Sequence, residues 1–269
     1  VLSIVGTGYN VSGQVTPETR SLIEQADRLF YLVTDPATAA WLRSLNPSAV
    51  SLHDCYREGE SGMDASHAMA ERIVAPLADG AEVCAAFSGH PAIALHTTHE
   101  ALHRARALGT AARMLPAVSF EDCLVADLGV DPGQIGRSLY EATDFVTRPR
   151  PVDTGAALVL IQVGAIGERV YRRGSDPSPE GLRLLQEVLE RHYPAEHELV
   201  LYAAAQLPIA EPEIVRVPLS DLAGAPVRVN STLFVPPLAR PPKDPALLER
   251  LGLPAEPTEP SPSRGAARP

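Results

Sequence analysis

The chain has 269 residues, 45% of them hydrophobic, enough for one large or two medium domains with a substantial core. Its formal net charge of −10, with no basic block, argues against nucleic acid and anionic membrane surfaces as partners. No run reaches the roughly 18 apolar residues of a membrane span, and the opening VLSIVGTG has no signal-peptide pattern.

Cys55, Cys84 and Cys123 are odd in number, scattered and never in Cys-x-x-Cys spacing, so a reducing cytoplasm is expected, without a disulfide frame or zinc cluster. In chain order, LSIVGTG (2–8) predicts an apolar strand ending in glycines. Thr16 then caps a helix, with Pro17 at its first position and Glu18 in its first turn. RLFYLV (28–33) is a second strand, and Asp35-Pro36 opens a helix through Leu45. AVSLH (49–53) is short and strand-like; a polar loop, YREGESG (56–62), leads to a helix over 63–78. AEVCAAF (81–87), ARMLP (112–116) and IGRSLY (135–140) complete the strands of the first half, with helices near 95–108 and 119–128. Such alternation predicts a parallel sheet covered on both faces.

The Pro- and Arg-rich VTRPRPVD (146–153) reads as a linker, giving an N-terminal domain over 1–147 and a C-terminal domain over 148–240. The second carries strands at 156–164, 197–205, 213–219 and 230–237 around one helix near 178–192, which predicts an α/β unit with a mixed sheet. The Pro-rich tail, 241–269, holds one weak helix in DPALLERLG and is otherwise expected to be disordered.

Ligands of open parallel sheets bind beyond the carboxyl ends of the strands. Three such ends stand out: GTGYN (6–10), SGHPAI (88–93) and PAVSFEDC (116–123). Gly6-Thr7-Gly8 fits a tight strand-to-helix turn, since neither Gly-x-Gly-x-x-Gly nor a Walker lysine is present. His90 serves either as a local backbone cap or as a ligand contact. Ser119, Glu121 and Asp122 sit where acidic residues favour a helix start, so a cap explains them. His96, His99 and His103, with Glu100, fall on one helix face at a spacing able to bind metal, but no metal is expected.

VGTG, the GHP turn, MLPAVSFEDCLVADLGVDP (114–132), YEATDF (140–145), LVLIQVG (158–164) and STLFVPP (231–237) together resemble the tetrapyrrole methylase superfamily of S-adenosylmethionine-dependent methyltransferases. Within it the likeness is greatest to the borosin peptide backbone α-N-methyltransferases, and it runs collinearly to about residue 240. The resemblance implies two α/β domains with the cofactor in the cleft between them, in a homodimer. It places His90, Ile93, Ser119, Phe120, Gln162, Ala204, Ser231 and Thr232 at the S-adenosylmethionine, with Gln162 expected as a buried amide in need of partners. Gly89 is expected to let the backbone approach the cofactor.

Methylating an amide nitrogen is hard because its lone pair is delocalised into the carbonyl. The resemblance implies a set of phenols and an arginine at the reacting amide. Tyr56 is retained, but Gly62, Ser66 and Ser88 stand where an arginine and two tyrosines are expected. His67 is turned about 100° from Ser66 on a helix and does not take its place. His53, with an ordinary imidazole, is a candidate base beside Tyr56. The tail shows no apolar acceptor run, so the acceptor is expected to be a separate ribosomal precursor peptide. Methylation of a small molecule such as a tetrapyrrole, and a catalytically impaired homologue that binds cofactor and peptide, are the alternatives.

Overall fold

The computed structural model describes residues 1–10, 13–168, 170–172, 174 and 177–254. The tail beyond 254, expected to be disordered, lies outside the described residues. β1 (Leu2–Gly6) leads to α1 (Pro17–Gln25), capped by the Thr16 hydroxyl, then β2 (Arg28–Leu32) and α2 (Pro36–Leu45), capped by the Asp35 carboxylate. In both helices the N-terminal proline sits where its missing N–H costs nothing. β3 (Val50–Ser51) runs into a short 3₁₀ turn, His53–Cys55, and the following loop ends at Ser61, which caps α3 (Gly62–Val74). β4 (Val83–Phe87), α4 (His96–Ala107), β5 (Ala112–Met114) and α5 (Phe120–Leu128) follow.

These five strands form an all-parallel sheet in the order β3-β2-β4-β1-β5. β1 and β4 are buried at every position, because helices cover both faces. Leu2, Ile4, Phe87 and Met69 fill one side; Val5, Leu29, Ile23 and Leu42 fill the other. Each such side chain, fully buried, contributes about 1.5–3 kcal/mol.

After the short α6 (Pro132–Ile135), β6 (Arg137–Glu141) and α7 (Ala142–Thr147) lead to β7 (Ala157–Ile161). α8 (Pro179–Leu189), β8 (Glu198–Ala203), β9 (Glu213–Pro218), β10 (Thr232–Val235) and α9 (Pro245–Arg250) complete the described chain. The second sheet has the order β6-β7-β10-β8-β9, parallel between β6 and β7 and antiparallel elsewhere. The IGRSLY strand, expected in the first sheet, is therefore corrected: β6 runs beside β7, so the second sheet begins upstream of the Pro/Arg linker. Local pattern marks a strand but not the sheet it joins. Buried Glu121 on α5 pairs with Arg137 on β6 and ties the α5 helix to that edge.

At the carboxyl ends of β1 and β4 the backbones close on each other. The Gly89 N–H donates to Gly8 O at 2.9 Å, and a Cβ on Gly6 would lie 2.1 Å from Gly89 O and 2.5 Å from Ala117 Cβ. Gly6→Ala is expected to cost about 3 kcal/mol through overpacking. Gly62→Ala, at an open helix start, should instead stabilise by about 0.4–1 kcal/mol. Urea unfolding of the two variants reads both effects.

Candidate functional site

A cavity of about 570 Å³ opens between the two sheets, within the roughly 300–1,000 Å³ range of small-ligand sites. Its walls come from strand ends. The first sheet supplies Tyr9 after β1, Leu32–Thr34 at and after β2, Ser88, His90 and Ile93–Leu95 after β4, and Ser119-Phe120 at the start of α5. The second supplies Ile161-Gln162 at the end of β7, Tyr202–Ala204 at the end of β8, and Val229–Thr232. The last segment joins them because β10 runs antiparallel to β7 and β8, so its start lies beside their ends.

All eight residues expected at the cofactor line this one cavity, as do His53, Tyr56 and Ser88. Gly62 and Ser66 are not among its lining residues. His90 is half-buried, and its Nδ1 accepts from the Ala92 N–H at 3.0 Å, so it caps local backbone while facing the cavity. Ser119 forms a capping box with Asp122 and leaves its own face to the cavity. Ser231 is buried, and its hydroxyl accepts from the Arg228 N–H at 2.9 Å.

One expectation about local environment is corrected. Gln162 is not a buried amide: it is exposed at the cavity, and its side chain makes no hydrogen bond among the described residues. It also sits in the left-handed region at φ 58°, as Ala94 does at 55° across the cavity. Such conformations cost of order 1–3 kcal/mol outside glycine and cluster at ligand sites. Gly89, at φ 70°, makes room for a side chain of this protein: a Cβ there would meet the Tyr9 ring at 2.8 Å.

Phenols that sequence reasoning missed complete the site. Tyr171, in a polar loop after β7, stacks on Tyr56 with centroids 5.0 Å apart and an interplanar angle of 27°. Backbone pairing holds it there: the Gly59 N–H donates to Tyr171 O at 2.9 Å, and the Tyr171 N–H donates to Glu60 O at 2.8 Å. Tyr202 donates its hydroxyl to Asp127 at 2.7 Å. Burial pushes the Tyr9 phenol up to about 12, and burial and then Tyr171 raise that of Tyr56. Burial and the Asp127 carboxylate raise that of Tyr202. All three are therefore neutral O–H groups near pH 7.

His53 is exposed at the rim, where its Nδ1 lies 3.1 Å from the Ser51 hydroxyl. Partial desolvation lowers its pKa, opposed by Asp54. Ser88 accepts from the Thr34 N–H at 3.0 Å, and Gln206 reaches Thr34 Oγ1 at 3.5 Å from the other sheet. Among the described lining residues none is Asp, Glu, Lys or Arg. The cavity thus presents backbone, hydroxyls, the imidazoles of His53 and His90, the amides of Gln162, Gln206 and Asn230, and phenols.

The fold is similar to that of uroporphyrin-III-C-methyltransferase from Thermus thermophilus. That structure superposes with a TM-score of 0.62 at 19% identity, covering 95% of this chain and 97% of the other. The chain belongs to the tetrapyrrole (corrin/porphyrin) methylase family, whose model matches residues 1–223. It is 40% identical over 244 residues to the methyltransferase and dendrothelin A precursor of Dendrothele bispora, covering 89% of this chain and 58% of that protein. It is 40% identical over 257 residues to the methyltransferase and omphalotin A precursor of Omphalotus olearius, covering 94% and 61%. A type I borosin cyclic peptide precursor with a methyltransferase, from Coprinopsis marcescibilis, is 36% identical over 243 residues, covering 88% and 62%. The chain spans about three fifths of the length of these relatives.

The strain at Gln162 is testable on the protein alone. Gln162→Gly should raise stability in urea by about 1 kcal/mol, whereas Gln162→Ala, which keeps a Cβ, should not.

Proposed function

We propose that the cavity binds S-adenosylmethionine and that the protein methylates backbone amide nitrogens of a ribosomal peptide supplied as a separate chain. The observation that carries this reading is the convergence of the eight cofactor candidates, drawn from both sheets, on one cavity. The donor set suits the cofactor: a wall without carboxylates or basic side chains avoids an ion competing for the sulfonium, and the Gln162 amide, without a hydrogen-bond partner among the described residues, offers a donor and an acceptor.

When bound, S-adenosylmethionine supplies an electrophilic methyl group. The chain's own residues must hold the acceptor and manage its proton. Tyr56 and Tyr171, neither hydroxyl bonded to a described residue, can donate to the carbonyl oxygen of an amide and draw its electrons toward oxygen, which acidifies the N–H. His53, uncharged near neutrality, can accept that proton. Tyr171 then stands in for part of the phenol set that Gly62, Ser66 and Ser88 do not provide.

Calorimetry should show binding of S-adenosylmethionine or its demethylated product, weakened roughly 2- to 10-fold in Gln162→Ala by loss of hydrogen bonding. Binding of neither compound defeats the cofactor reading. With a Val/Ile/Gly-rich synthetic peptide, mass spectrometry should read one added CH₂ per transfer. Tyr56→Phe, Tyr171→Phe and His53→Ala should each lower kcat and leave cofactor affinity near its original value.

The pH dependence has a definite sign. Protonation removes His53 as a base, and its pKa lies below the ordinary 6.5. The rate is therefore retained near neutrality and falls only at more acid pH, and His53→Ala abolishes that limb. The Ser88 hydroxyl, engaged with Thr34 rather than free, favours a second reading: a homologue that binds cofactor and peptide without transfer. Peptide binding with no gain in mass supports it over the first.

The working form is proposed to be a homodimer in a reducing cytoplasm. In support, Ile209 is 93% exposed and Leu207 42% exposed on the loop beside Gln206 at the cavity, and all three cysteines are free. No helix among the described residues is long and apolar enough to cross a membrane. Light scattering at micromolar concentration should give twice the chain mass; a monomer overturns the assembly reading.

A further inference from the structure

Away from the cavity, α3 and α4 pack side by side and bring together side chains that are 29 to 33 positions apart in the chain. His67 on α3 places Nδ1 2.6 Å from Glu100 Oε2. His96, one turn before Glu100 on α4, places Nε2 3.5 Å from the same oxygen. The three atoms lie within 4.8 Å of one another. The His67 and His96 rings meet edge to face with centroids 5.6 Å apart.

The Glu100 side chain is 14% exposed, whereas those of His67 and His96 are 47% and 50% exposed. The carboxylate is thus the floor of a shallow site with imidazoles on its rim and solvent on the open side. Arg104 engages the other oxygen, Oε1, leaving Oε2 to face the histidines. The stripe expected from spacing alone does not assemble, since His99 Nε2 bonds Ala92 O at 2.9 Å instead.

We propose that His67, His96 and Glu100 form a binding site for a divalent transition-metal ion of the zinc class. Two imidazoles and a carboxylate are a donor set suited to such ions, and three protein ligands leave a position for water. Tetrahedral bonds of about 2.0–2.2 Å require ligand atoms about 3.3 Å apart. The separations of the two ring nitrogens from Glu100 Oε2, 2.6 and 3.5 Å, bracket that value. An ion pair with Glu100 needs only one imidazole; a metal accounts for both converging on one oxygen. Arg104 on the second oxygen is the kind of outer partner that orients a ligating carboxylate. Bound there, an ion staples α3 to α4.

The test uses untagged full chain stripped with chelator and titrated with Co²⁺, then Zn²⁺. One equivalent of Co²⁺ should bind with a visible d–d band that Zn²⁺ displaces. His67→Ala and His96→Ala should each lower affinity at least tenfold, no less than the loss of an outer partner brings, and His99→Ala should leave it unchanged. No binding at tens of micromolar Co²⁺, or full affinity in either His67→Ala or His96→Ala, overturns the site. If circular dichroism shows that a variant has not folded, wild-type NMR decides. Zn²⁺ must shift the ring signals of His67 and His96 together, and their invariance also overturns the proposal.

Discussion

The closure of β1 on β4 at their carboxyl ends is the constraint on which the rest of the site depends. Side-chain-free backbone at Gly6, Gly8 and Gly89 lets the two strand ends meet. The chain must then leave the sheet on diverging paths, one toward Tyr9 and one through His90-Pro91. The Tyr9 ring fills the space that Gly89 leaves empty. A wider pair of side chains at this crossing would separate the strand ends that carry Tyr9 and His90 to the cavity, whatever the rest of the lining.

The cavity is built from ends rather than faces of sheets. Strand ends expose carbonyls and N–H groups that no ladder satisfies, so a site there is polar without needing charged side chains. The parallel first sheet points all its carboxyl ends one way, and the mixed second sheet answers with the ends of β7 and β8 and the beginning of β10. Left-handed backbone at Gln162 and Ala94 lies on opposite walls. Strain of this kind persists only where the surrounding packing over-determines it.

Much of this architecture is legible in the sequence, and the remainder fails for identifiable reasons. Thr16-Pro17, Asp35-Pro36 and the Ser119–Asp122 box announce helix starts because capping is a local matter. The apolar runs of β1, β4 and β7 declare two covered faces for the same reason. The β6 assignment fails because pairing partners are chosen by tertiary contacts, not by the strand's own residues. Gln162 reads as a buried amide because it ends an apolar strand, and nothing in its neighbours encodes a positive φ. Tyr171 sits among polar loop residues with no periodicity to mark it. His67 belongs to a cluster only because α3 lies against α4.

The loop pairing that carries Tyr171 to Tyr56 has a bearing on how such a site tolerates evolutionary drift. The bonds between Gly59, Glu60 and Tyr171 are made by main-chain atoms, so the side chains of Glu60 and Val170 are free to vary without loosening the phenol pair. Gly59, at φ 78°, is the exception. Length is not free either: in extended pairing successive residues face opposite ways, so one inserted or deleted residue turns the following side chain to the other face. The placement of the second phenol is thus written in chain length and register, and substitutions that erase sequence similarity in these loops leave it intact.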